Sequence, residues 1–417
     1  MFEDYDEDFE VKRISSLLFL FCLLSLPACT DNTTAPTATS QPATPTVSVS
    51  QASTPATTAA LTQAQVPTAT TATQLPASTS TTAVSNTTAA VVTPVPATAT
   101  SVSQSFRPVA KNIGSAGCCQ EFSYSSDGKL VFYDKPAGDN RAGTWLLDPA
   151  NAQRSYLTAG FGTFTPDRSL AALINDGAGT TTIQNLADGK TLATLNNRAS
   201  QTLFSPDKKQ LAWALRLAQQ EGPEAPQHFE LWAANLDGSN SRVVWKGTEI
   251  ANLAWYPDNR RLLLTGRDAS NQRFGLWIID TTNGSANLAV DSKGLTSASL
   301  SPDGEWLAWW VTLQGSNFSG VWIGHSDGSQ ANKVEWLGGF RWTAGHELLY
   351  IPVRQSGDNS SALWSFNPDN NQSKQLTDPA AIPLKIVEDQ WQAAPDGKTI
   401  AYRNAADNAL WQLTFRP

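Results

Sequence analysis

A ten-residue pattern recurs seven times between residues 122 and 402, and it constrains the fold more than any other feature. Each copy has a turn of the Ser/Thr-Pro-Asp-Gly type followed by an apolar triplet. The copies read YSSDGKLVFY, FTPDRSLAAL, FSPDKKQLAW, WYPDNRRLLL, LSPDGEWLAW, RWTAGHELLY and AAPDGKTIAY. Six copies place an aspartate at the turn, and the sixth copy has Ala344 there; the aspartates are Asp127, Asp167, Asp207, Asp258, Asp303 and Asp396. Successive turns are 40 to 52 residues apart, a period that indicates a repeat architecture built from small sheets.

A second element follows each copy and carries a tryptophan in six of the seven repeats. We interpret these tryptophans as packing residues in the middle of each blade; they are Trp145, Trp232, Trp277, Trp322, Trp364 and Trp411, with Ile183 in the remaining repeat. Apolar strands separated by Asp-Gly and Asn-Gly turns are typical of antiparallel hairpins. A four-stranded sheet buries both of its faces when sheets pack around an axis. The sequence therefore predicts an all-β protein, a seven-bladed β-propeller of four-stranded antiparallel blades.

The two ends of the repeat region suggest how the ring closes. The sequence stops at Pro417, soon after the third strand of the last repeat, so that blade lacks its outer strand. Ser105–Ala110 is an extended segment without a blade of its own. We expect this N-terminal strand to complete the last blade, which removes two exposed strand edges. The predicted propeller domain spans residues 105–417.

The Ser-Pro-Asp-Gly turn before an apolar triplet resembles the repeat of the TolB-like propellers. The resemblance covers residues 105–417 and rests on all seven copies. It implies a propeller that serves as a protein-binding platform in the cell envelope. TolB-like proteins carry an additional N-terminal globular domain, and this chain has a low-complexity segment in its place. Only the fold and the general idea of a platform therefore carry over.

The N-terminal region has the features of an export signal. Residues 11–29 contain two basic residues, an uncharged apolar run and small residues before a cysteine, which predicts a signal peptide over residues 1–28. Leu26-Pro27-Ala28-Cys29 resembles the lipobox, where the cysteine is lipidated; the alternative is ordinary cleavage that leaves a free Cys29. Six acidic residues among the first ten are unusual there, so we expect the true start at Val11. The prediction is an exported lipoprotein on the outer side of the cytoplasmic membrane, or in the periplasm or at the cell surface.

Residues 29–104 consist mainly of Thr, Ala, Ser, Pro and Val and contain no aromatic residue. Such a segment cannot bury enough apolar surface to offset the entropy of ordering, so we expect a disordered, lipid-anchored linker. The net charge of -8 and the lack of a basic run give no reason to expect a nucleic-acid partner. The expected partners are the membrane, through the lipid, and an unidentified envelope protein or polymer, with the chain itself a monomer.

Residues with catalytic or metal-binding chemistry are few. The three histidines, His228, His325 and His346, fall in different repeats without a metal-binding or hydrolase motif, and we interpret each as a solvated loop residue. The repeated aspartates are interpreted as turn residues, because Asp before Gly hydrogen-bonds its own turn. No metal, cofactor or catalytic residue is predicted. Adjacent Cys118 and Cys119 are a candidate disulfide, with free thiols or an intermolecular bond as alternatives.

Five carboxylates precede first strands of the repeats, where a propeller channel opens: Glu121, Glu249, Glu335, Glu388 and Asp389. The longer, variable connections lie on the same predicted face, and variable loops on a rigid scaffold often carry binding; they are Lys135–Gly143, Leu215–Phe229, Val353–Ser361 and Asp378–Gln390. The preferred hypothesis is a non-catalytic binding or scaffold module. The alternative is a glycan-active or other hydrolytic enzyme that uses carboxylates at the central channel.

Overall fold

The computed structural model describes residues 107–119, 121–218, 226–353 and 361–416. Every regular element in these ranges is a β-strand. The first sixteen strands are β1 (Val109–Asn112), β2 (Ser123–Tyr124), β3 (Leu130–Asp134), β4 (Gly143–Asp148), β5 (Gln153–Thr158), β6 (Phe161–Phe164), β7 (Leu170–Asn175), β8 (Thr180–Asn185), β9 (Thr191–Leu195), β10 (Thr202–Phe204), β11 (Gln210–Arg216), β12 (His228–Asn235), β13 (Arg242–Trp255), β14 (Arg261–Asp268), β15 (Phe274–Asp280) and β16 (Ala286–Asp291). The other eleven are β17 (Leu295–Leu300), β18 (Trp306–Val311), β19 (Gly320–His325), β20 (Asn332–Lys333), β21 (Gly338–Trp342), β22 (Leu348–Pro352), β23 (Trp364–Asn367), β24 (Gln372–Gln375), β25 (Ile386–Ala393), β26 (Thr399–Asn404) and β27 (Leu410–Thr414).

These strands form six sheets, numbered here along the chain. Sheets 1 and 2 are β2–β5 and β6–β9, and sheets 4 and 5 are β17–β20 and β21–β24. Sheet 3 has seven strands, β10–β16, and sheet 6 has the order β1-β27-β26-β25. First strands of successive repeats touch one another from β6 through β10, β13, β17 and β21 to β25, and β25 also touches β2. The fold is therefore an all-β propeller with four-stranded antiparallel blades.

The prediction of seven separate blades is wrong, because the structure has five four-stranded sheets and one sheet of seven strands. Strand β13 runs through 14 residues and pairs with β12 in its first part and with β14 in its second part. It is both the outer strand of the third repeat and the first strand of the fourth. The passage is bulged between Thr248 and Ala251. Gly247 allows it, because a Cβ there would overlap the Trp245 ring and the Arg267 carbonyl oxygen.

The core lies between neighbouring sheets. Each main hydrophobic cluster combines buried side chains of two successive repeats, as the apolar triplets predict. Between sheets 6 and 1, for example, Leu410 of β27 packs with Leu130 and Leu147, and all three have no exposed surface. Among the repeated tryptophans, Trp145 and Trp277 are buried and the other four are half-buried. Burial of such large apolar areas is the main force that holds the sheets together.

Strands from both ends of the described chain meet in sheet 6. β1 pairs antiparallel with β27, from Val109 opposite Thr414 to Asn112 opposite Trp411. The paired strand begins four residues after Ser105, and the rest of the expected segment, Arg107 and Pro108, precedes it. Ser105 and Phe106 lie outside the described residues.

The two ends of the propeller carry different residues. We call the end with the turns between first and second strands, such as the one at Asp127, the turn face. The end where first strands begin, near Glu121 and Asp389, is the loop face. The predicted signal peptide, Cys29 and the linker up to residue 104 lie outside the described residues. The part of the chain that is described contains no helix long and apolar enough to cross a membrane.

Candidate active site at the loop face

The six repeated aspartates all lie on the turn face, where each accepts hydrogen bonds within its own turn. Ser125 Oγ donates to Asp127 at 2.7 Å, Ser205 Oγ donates to Asp207 at 2.7 Å, and the Lys398 amide donates to Asp396 at 2.8 Å. The same pattern holds for the remaining members of the set, Asp167, Asp258 and Asp303. This geometry gives each aspartate a role in forming its turn.

Some of these aspartates also link neighbouring sheets. Arg168 donates to both carboxylate oxygens of Asp127, at 2.8 and 2.7 Å, and Lys208 donates to Asp167 at 2.7 Å. The Arg168 guanidinium lowers the pKa of Asp127 to about 2, and the Lys208 ammonium holds the pKa of Asp167 well below the usual value of an aspartate. Arg168 and Lys208 each directly follow the aspartate of their own turn and have a left-handed backbone, with φ of 57° and 61°.

The sixth copy differs from the others at this same position. His346 has the left-handed backbone, with φ 51°, so Gly345 and not Ala344 stands where the other copies have aspartate. Its Nδ1 lies 2.8 Å from Asp303 Oδ2, and its Nε2 lies 3.1 Å from Asp369 Oδ2. The interpretation of His346 as a simple solvated residue is wrong, because both ring nitrogens have carboxylate partners. A carboxylate oxygen of Glu305 also lies within 4.8 Å of ligand atoms of Asp303 and His346.

The loop face carries an irregular stretch of strand β25. Its pairing with β26 shifts between Ile386 and Trp391, and Glu388 and Asp389 inside this bulge have φ of 45° and 58°. Bulges of this kind re-aim side chains and are common beside active sites. Glu388 is exposed and Asp389 is half-buried. The bulge therefore interrupts the regular alternation of side chains between the two faces of β25 at Glu388 and Asp389.

Arg341 of β21 binds this bulge from the neighbouring sheet. Its Nη2 donates to the carbonyl oxygen and to Oδ2 of Asp389, both at 3.0 Å, and its Nε donates to the Trp391 carbonyl at 3.1 Å. Trp391 Nε1 donates to Asp389 Oδ1 at 2.6 Å. The guanidinium also lies over the Trp391 ring, 4.9 Å from its centroid. Among the ion pairs of the described residues, Arg341–Asp389 alone joins first strands of two different sheets.

Gly339 makes room for this arrangement. A Cβ at Gly339 would overlap Asp389 Oδ1, so the carboxylate lies directly against the backbone of β21. The glycine is needed for this close approach of a side chain to a backbone. The site is thus shaped by both sheets and not by the bulge alone.

The other three candidate carboxylates are dispersed. Glu249 lies in the β13 bulge with φ 56° and forms an ion pair with Arg267 at 3.4 Å. Glu121 and Glu335 are exposed, and Glu121 has φ 53°. The hydrogen bonds of the described residues link none of these three to Asp389. The structure therefore leaves Glu121, Glu249 and Glu335 apart from Asp389, and Glu388, its neighbour in the sequence, shares the β25 bulge with it.

Cys118 and Cys119 are joined by a disulfide between adjacent residues. Both are buried, and they pack with Ile113, Phe122 and Leu410 in the cluster between sheets 6 and 1. The other two histidines have separate surroundings. His325 stacks on Trp306, with 4.7 Å between the ring centroids, and His228 is exposed at the start of β12.

Sequence reasoning missed Arg341. The available signal was a charged residue inside a predicted first strand, where the other copies have mostly apolar or small residues. Its partner Asp389 was among the candidate carboxylates, but the sequence does not reveal that β21 and β25 are neighbours. Their contact follows from the order of the sheets.

No protein-family model and no curated protein matches the sequence. Among solved structures, an oligogalacturonate lyase in complex with manganese has a TM-score of 0.55 at 15% identity, with 74% of this chain and 93% of that chain covered. An oligogalacturonate lyase from Vibrio parahaemolyticus has a TM-score of 0.56 at 11% identity, with 73% and 93% covered. Structural neighbours include TolB-like propellers, such as TolB from Acinetobacter baumannii at 13% identity and a TM-score of 0.37, with 74% and 79% covered.

These comparisons correct the functional prediction. A non-catalytic scaffold, and hence no enzyme, was the preferred hypothesis. The two structures that share this fold along almost their whole length are named as enzymes that act on a glycan. The comparisons therefore weigh against the preference for a non-catalytic scaffold. At 15% and 11% sequence identity, the similarity to these two structures shows the fold alone.

Proposed function

We propose that this chain is a glycan-active enzyme that cleaves uronate-containing oligosaccharides at its loop face. The observation that carries the proposal is the Arg341–Asp389 group, a fixed guanidinium beside a bulged pair of carboxylates at the beginning of β25. Arginine suits this role because its guanidinium keeps its positive charge and donates a charge-assisted hydrogen bond to a carboxylate, the group that distinguishes uronates from neutral sugars. The names of the two lyases of the same fold support the choice of substrate class.

The reaction that fits these residues is β-elimination. A base removes the proton from C5 of the uronate, the electron pair forms a C4–C5 double bond, and the bond from C4 to the glycosidic oxygen breaks. The oxygen leaves with a proton taken from solvent or an acid, and no water is consumed. The charge that develops on the uronate carboxylate requires a nearby cation, and a preorganised donor at such a position is usually a large catalytic contribution.

The residues divide this work by their hydrogen bonds. Both oxygens of Asp389 are engaged, by Arg341 and Trp391, so Asp389 is a positioning residue for the guanidinium. Arg341 is half-buried, and its Nη1 also donates to the Phe340 carbonyl oxygen at 2.8 Å, so the second N–H of Nη1 is the one that binds the substrate carboxylate in this proposal. Exposed Glu388 is the base that removes the C5 proton. A hydrolase would instead need two carboxylates on either side of the scissile bond, and both oxygens of Asp389 are engaged by Arg341 and Trp391.

A metal ion is not assigned to this site. One of the two lyases is described in complex with manganese. The only group of histidine and carboxylate side chains at ligand distances within the described ranges is Asp303, Glu305 and His346, on the turn face. The residues around Arg341 and Asp389 do not reproduce such a donor set, so no step of the proposed reaction uses a metal.

The test is cleavage of oligogalacturonate by the full chain. We expect the ultraviolet absorbance of a conjugated C4–C5 double bond to rise, and product masses that add up to the substrate without an added water. Arg341→Gln is expected to lower kcat/KM by about 100-fold or more, since loss of one preorganised donor typically costs this much. Glu388→Gln should lower kcat with little change in KM.

Arg267→Gln is the matched control, because Arg267 is also on the loop face and binds a carboxylate, Glu249, within its own sheet. Its kcat/KM should stay near the wild-type value. Melting temperatures of all variants separate a lost fold from a lost site. Absence of cleavage by the wild-type chain, or full activity of Arg341→Gln, would contradict the proposal.

The remaining expectations concern the setting of this enzyme. We place it outside the cytoplasm, exported by residues 1–28 and held by a lipid on Cys29 at the end of the linker 29–104, which gives reach to a polymeric substrate. The lipobox-like sequence supports this placement. Within the propeller the seven sequence repeats are distributed over five four-stranded sheets and the seven-stranded sheet 3, and we propose that β1 closes the ring over residues 105–417. The pairing of β1 with β27 supports that closure.

A further inference from the structure

The turn face between sheets 4 and 5 contains an unusual group of charges. Asp303 and Glu305 come from the turn between β17 and β18, His346 comes from the turn between β21 and β22, and Asp369 follows β23. One ligand atom from each of Asp303, Glu305 and His346 lies within 4.8 Å of the others. Asp369 Oδ2 lies 3.1 Å from the other nitrogen of the imidazole. Three carboxylates therefore surround one histidine.

The equivalent sites elsewhere in the ring show what is different here. Arg168 and Lys208 occupy the same left-handed position and neutralise the aspartate of the preceding sheet with a permanent positive charge. In sheet 5 the position holds an imidazole, which carries a full charge only when protonated, and two more carboxylates are added. None of the ion pairs of the described residues brings a lysine or arginine to Asp303, Glu305 or Asp369. The imidazole is therefore the one basic group that the described residues bring to these carboxylates, and even when protonated it leaves an excess of negative charge that a bound cation would offset.

We infer that Asp303, Glu305 and His346 bind a divalent cation of the Mn²⁺ or Zn²⁺ class, which joins sheets 4 and 5 at the turn face. One imidazole nitrogen with two carboxylates is a donor set suited to these ions. Donor atoms on one such ion lie roughly 3 to 4 Å apart, because each is about 2.1 Å from the metal, so the side chains need to move by about an ångström.

Asp369 has the position of an orienting partner. With Nδ1 directed at the ion, Nε2 of His346 keeps its proton and donates it to Asp369. A ligating histidine that donates its second N–H to a carboxylate is the common arrangement at protein metal sites. The left-handed backbone of His346, with φ 51°, fixes where the ring leaves the turn. The site thus has ligands from two sheets and a partner that sets the tautomer.

This inference is independent of the proposed cleavage at the loop face, and its test is metal binding. The full chain is freed of metal with a chelator and titrated with MnCl₂ and separately with ZnCl₂, by calorimetry and, for Mn²⁺, by electron paramagnetic resonance of the unbound ion. We expect one site per chain and a metal-dependent rise in Tm. Glu305→Gln and His346→Asn should each weaken binding at least tenfold, and Asp369→Asn by about 10-fold as an orienting partner.

Asp167→Asn is the matched control, since Asp167 has the same turn position but pairs with Lys208. Its metal affinity should equal that of the wild type. His346→Asn preserves a residue that tolerates the left-handed backbone, so the fold should survive the change. Lack of binding of both ions by the wild-type chain, or unchanged affinity in Glu305→Gln and His346→Asn, would overturn the inference.

Discussion

At the scale of single residues, one backbone position per turn decides how neighbouring sheets interact. Its members all have positive φ and differ in side chain: Gly128, Arg168, Lys208, Asn259, Gly304, His346 and Gly397. Where the position holds Arg168 or Lys208, the side chain reaches the aspartate of the preceding sheet. Where it holds Asn259, the side-chain oxygen accepts from the Asp207 amide at 2.7 Å. The same position in the fold thus supplies a cation, an imidazole, an amide or no side chain at all.

The Asp127–Arg168 pair should make stability depend on pH in the acid range. Arg168 lowers the pKa of Asp127 from 3.8 to about 2 in the folded chain. A depressed folded pKa means that the contribution is present above the unfolded value near 4 and is lost as pH falls towards 2. Asp127→Asn should therefore lower Tm by about 1–3 °C at pH 6, as expected for a partly exposed pair. The difference from the wild type should shrink towards pH 2.

Asp188→Asn is the control for this prediction, since the Asp188 carboxylate accepts from the Lys190 amide in its own turn and reaches no other sheet. Thermal melts of the three proteins at pH 6, 4 and 2.5 provide the measurement. Equal Tm differences for Asp127→Asn at every pH would show that the ion pair is not the source of its effect.

At the scale of elements, the pairing of β1 with β27 determines whether sheet 6 has four strands. Four residue pairs join the two strands, from Val109 to Asn112. Ala110 also packs on the cluster between sheets 5 and 6. Without β1, strand β27 would become an exposed edge with unpaired backbone groups.

Deletion of residues 109–112 from the full chain should lower the free energy of unfolding by about 1–4 kcal/mol, because each cross-strand pair contributes roughly 0.2–1 kcal/mol. Chemical denaturation measures the change. A four-residue deletion within the Thr/Ala-rich segment, residues 81–84, is the control and should leave the midpoint unchanged. A propeller that unfolds at the wild-type midpoint without β1 would show that this strand does not contribute to stability.

Bulges are the second feature of this scale. The first strands β17 and β25 change register near their beginnings on the loop face, and β13 changes register in its middle, between Thr248 and Ala251. The turn face has regular short turns instead. Register shifts also occur between third and fourth strands of four repeats. The bulge in β25 is the one at the proposed active site, where bulges that re-aim side chains are expected.

At the scale of the whole molecule, stability comes from the contacts between sheets. The cluster between sheets 6 and 1 contains Cys118, Cys119 and Leu410, and it lies where the last repeat meets the first. Because a propeller sheet buries its faces only against its neighbours, loss of one such contact affects the entire ring. We therefore expect residues 107–416 to unfold as one unit.

Leu410→Ala tests this expectation. Leu410 has no exposed surface, so its truncation should cost about 2–5 kcal/mol and lower Tm by about 4–10 °C. Calorimetry should still show a single transition. Leu192→Ala is the control. Because Leu192 in β9 is only half-buried, its truncation should lower Tm by less. A separate early transition in Leu410→Ala would mean that the repeats unfold independently.

Much of the fold was predictable because the repeats record it locally. The apolar triplets and Asp-Gly turns predicted the hairpins, and Leu130, Leu211 and Leu307 are indeed fully buried. The continuity of β13 was not predictable, since it depends on Gly247 admitting Trp245 and the Arg267 backbone from another strand. The site was predicted in part: Glu388 and Asp389 were candidates, but Arg341 and the His346 group were not recognised.

The sequence alone determined the class of this protein, an antiparallel propeller of repeated four-stranded units, because period, turn chemistry and alternation are properties of short segments. It also determined which residues form the turns in six of the seven repeats, the exception being the turn at Gly345. The tertiary structure decided which charges meet. Arg341 and Asp389 are 48 positions apart, and His346 and Asp303 are 43 apart. Both pairs arise from packing one sheet on the next, and electrostatic interactions depend on that distance in space and not on separation along the chain.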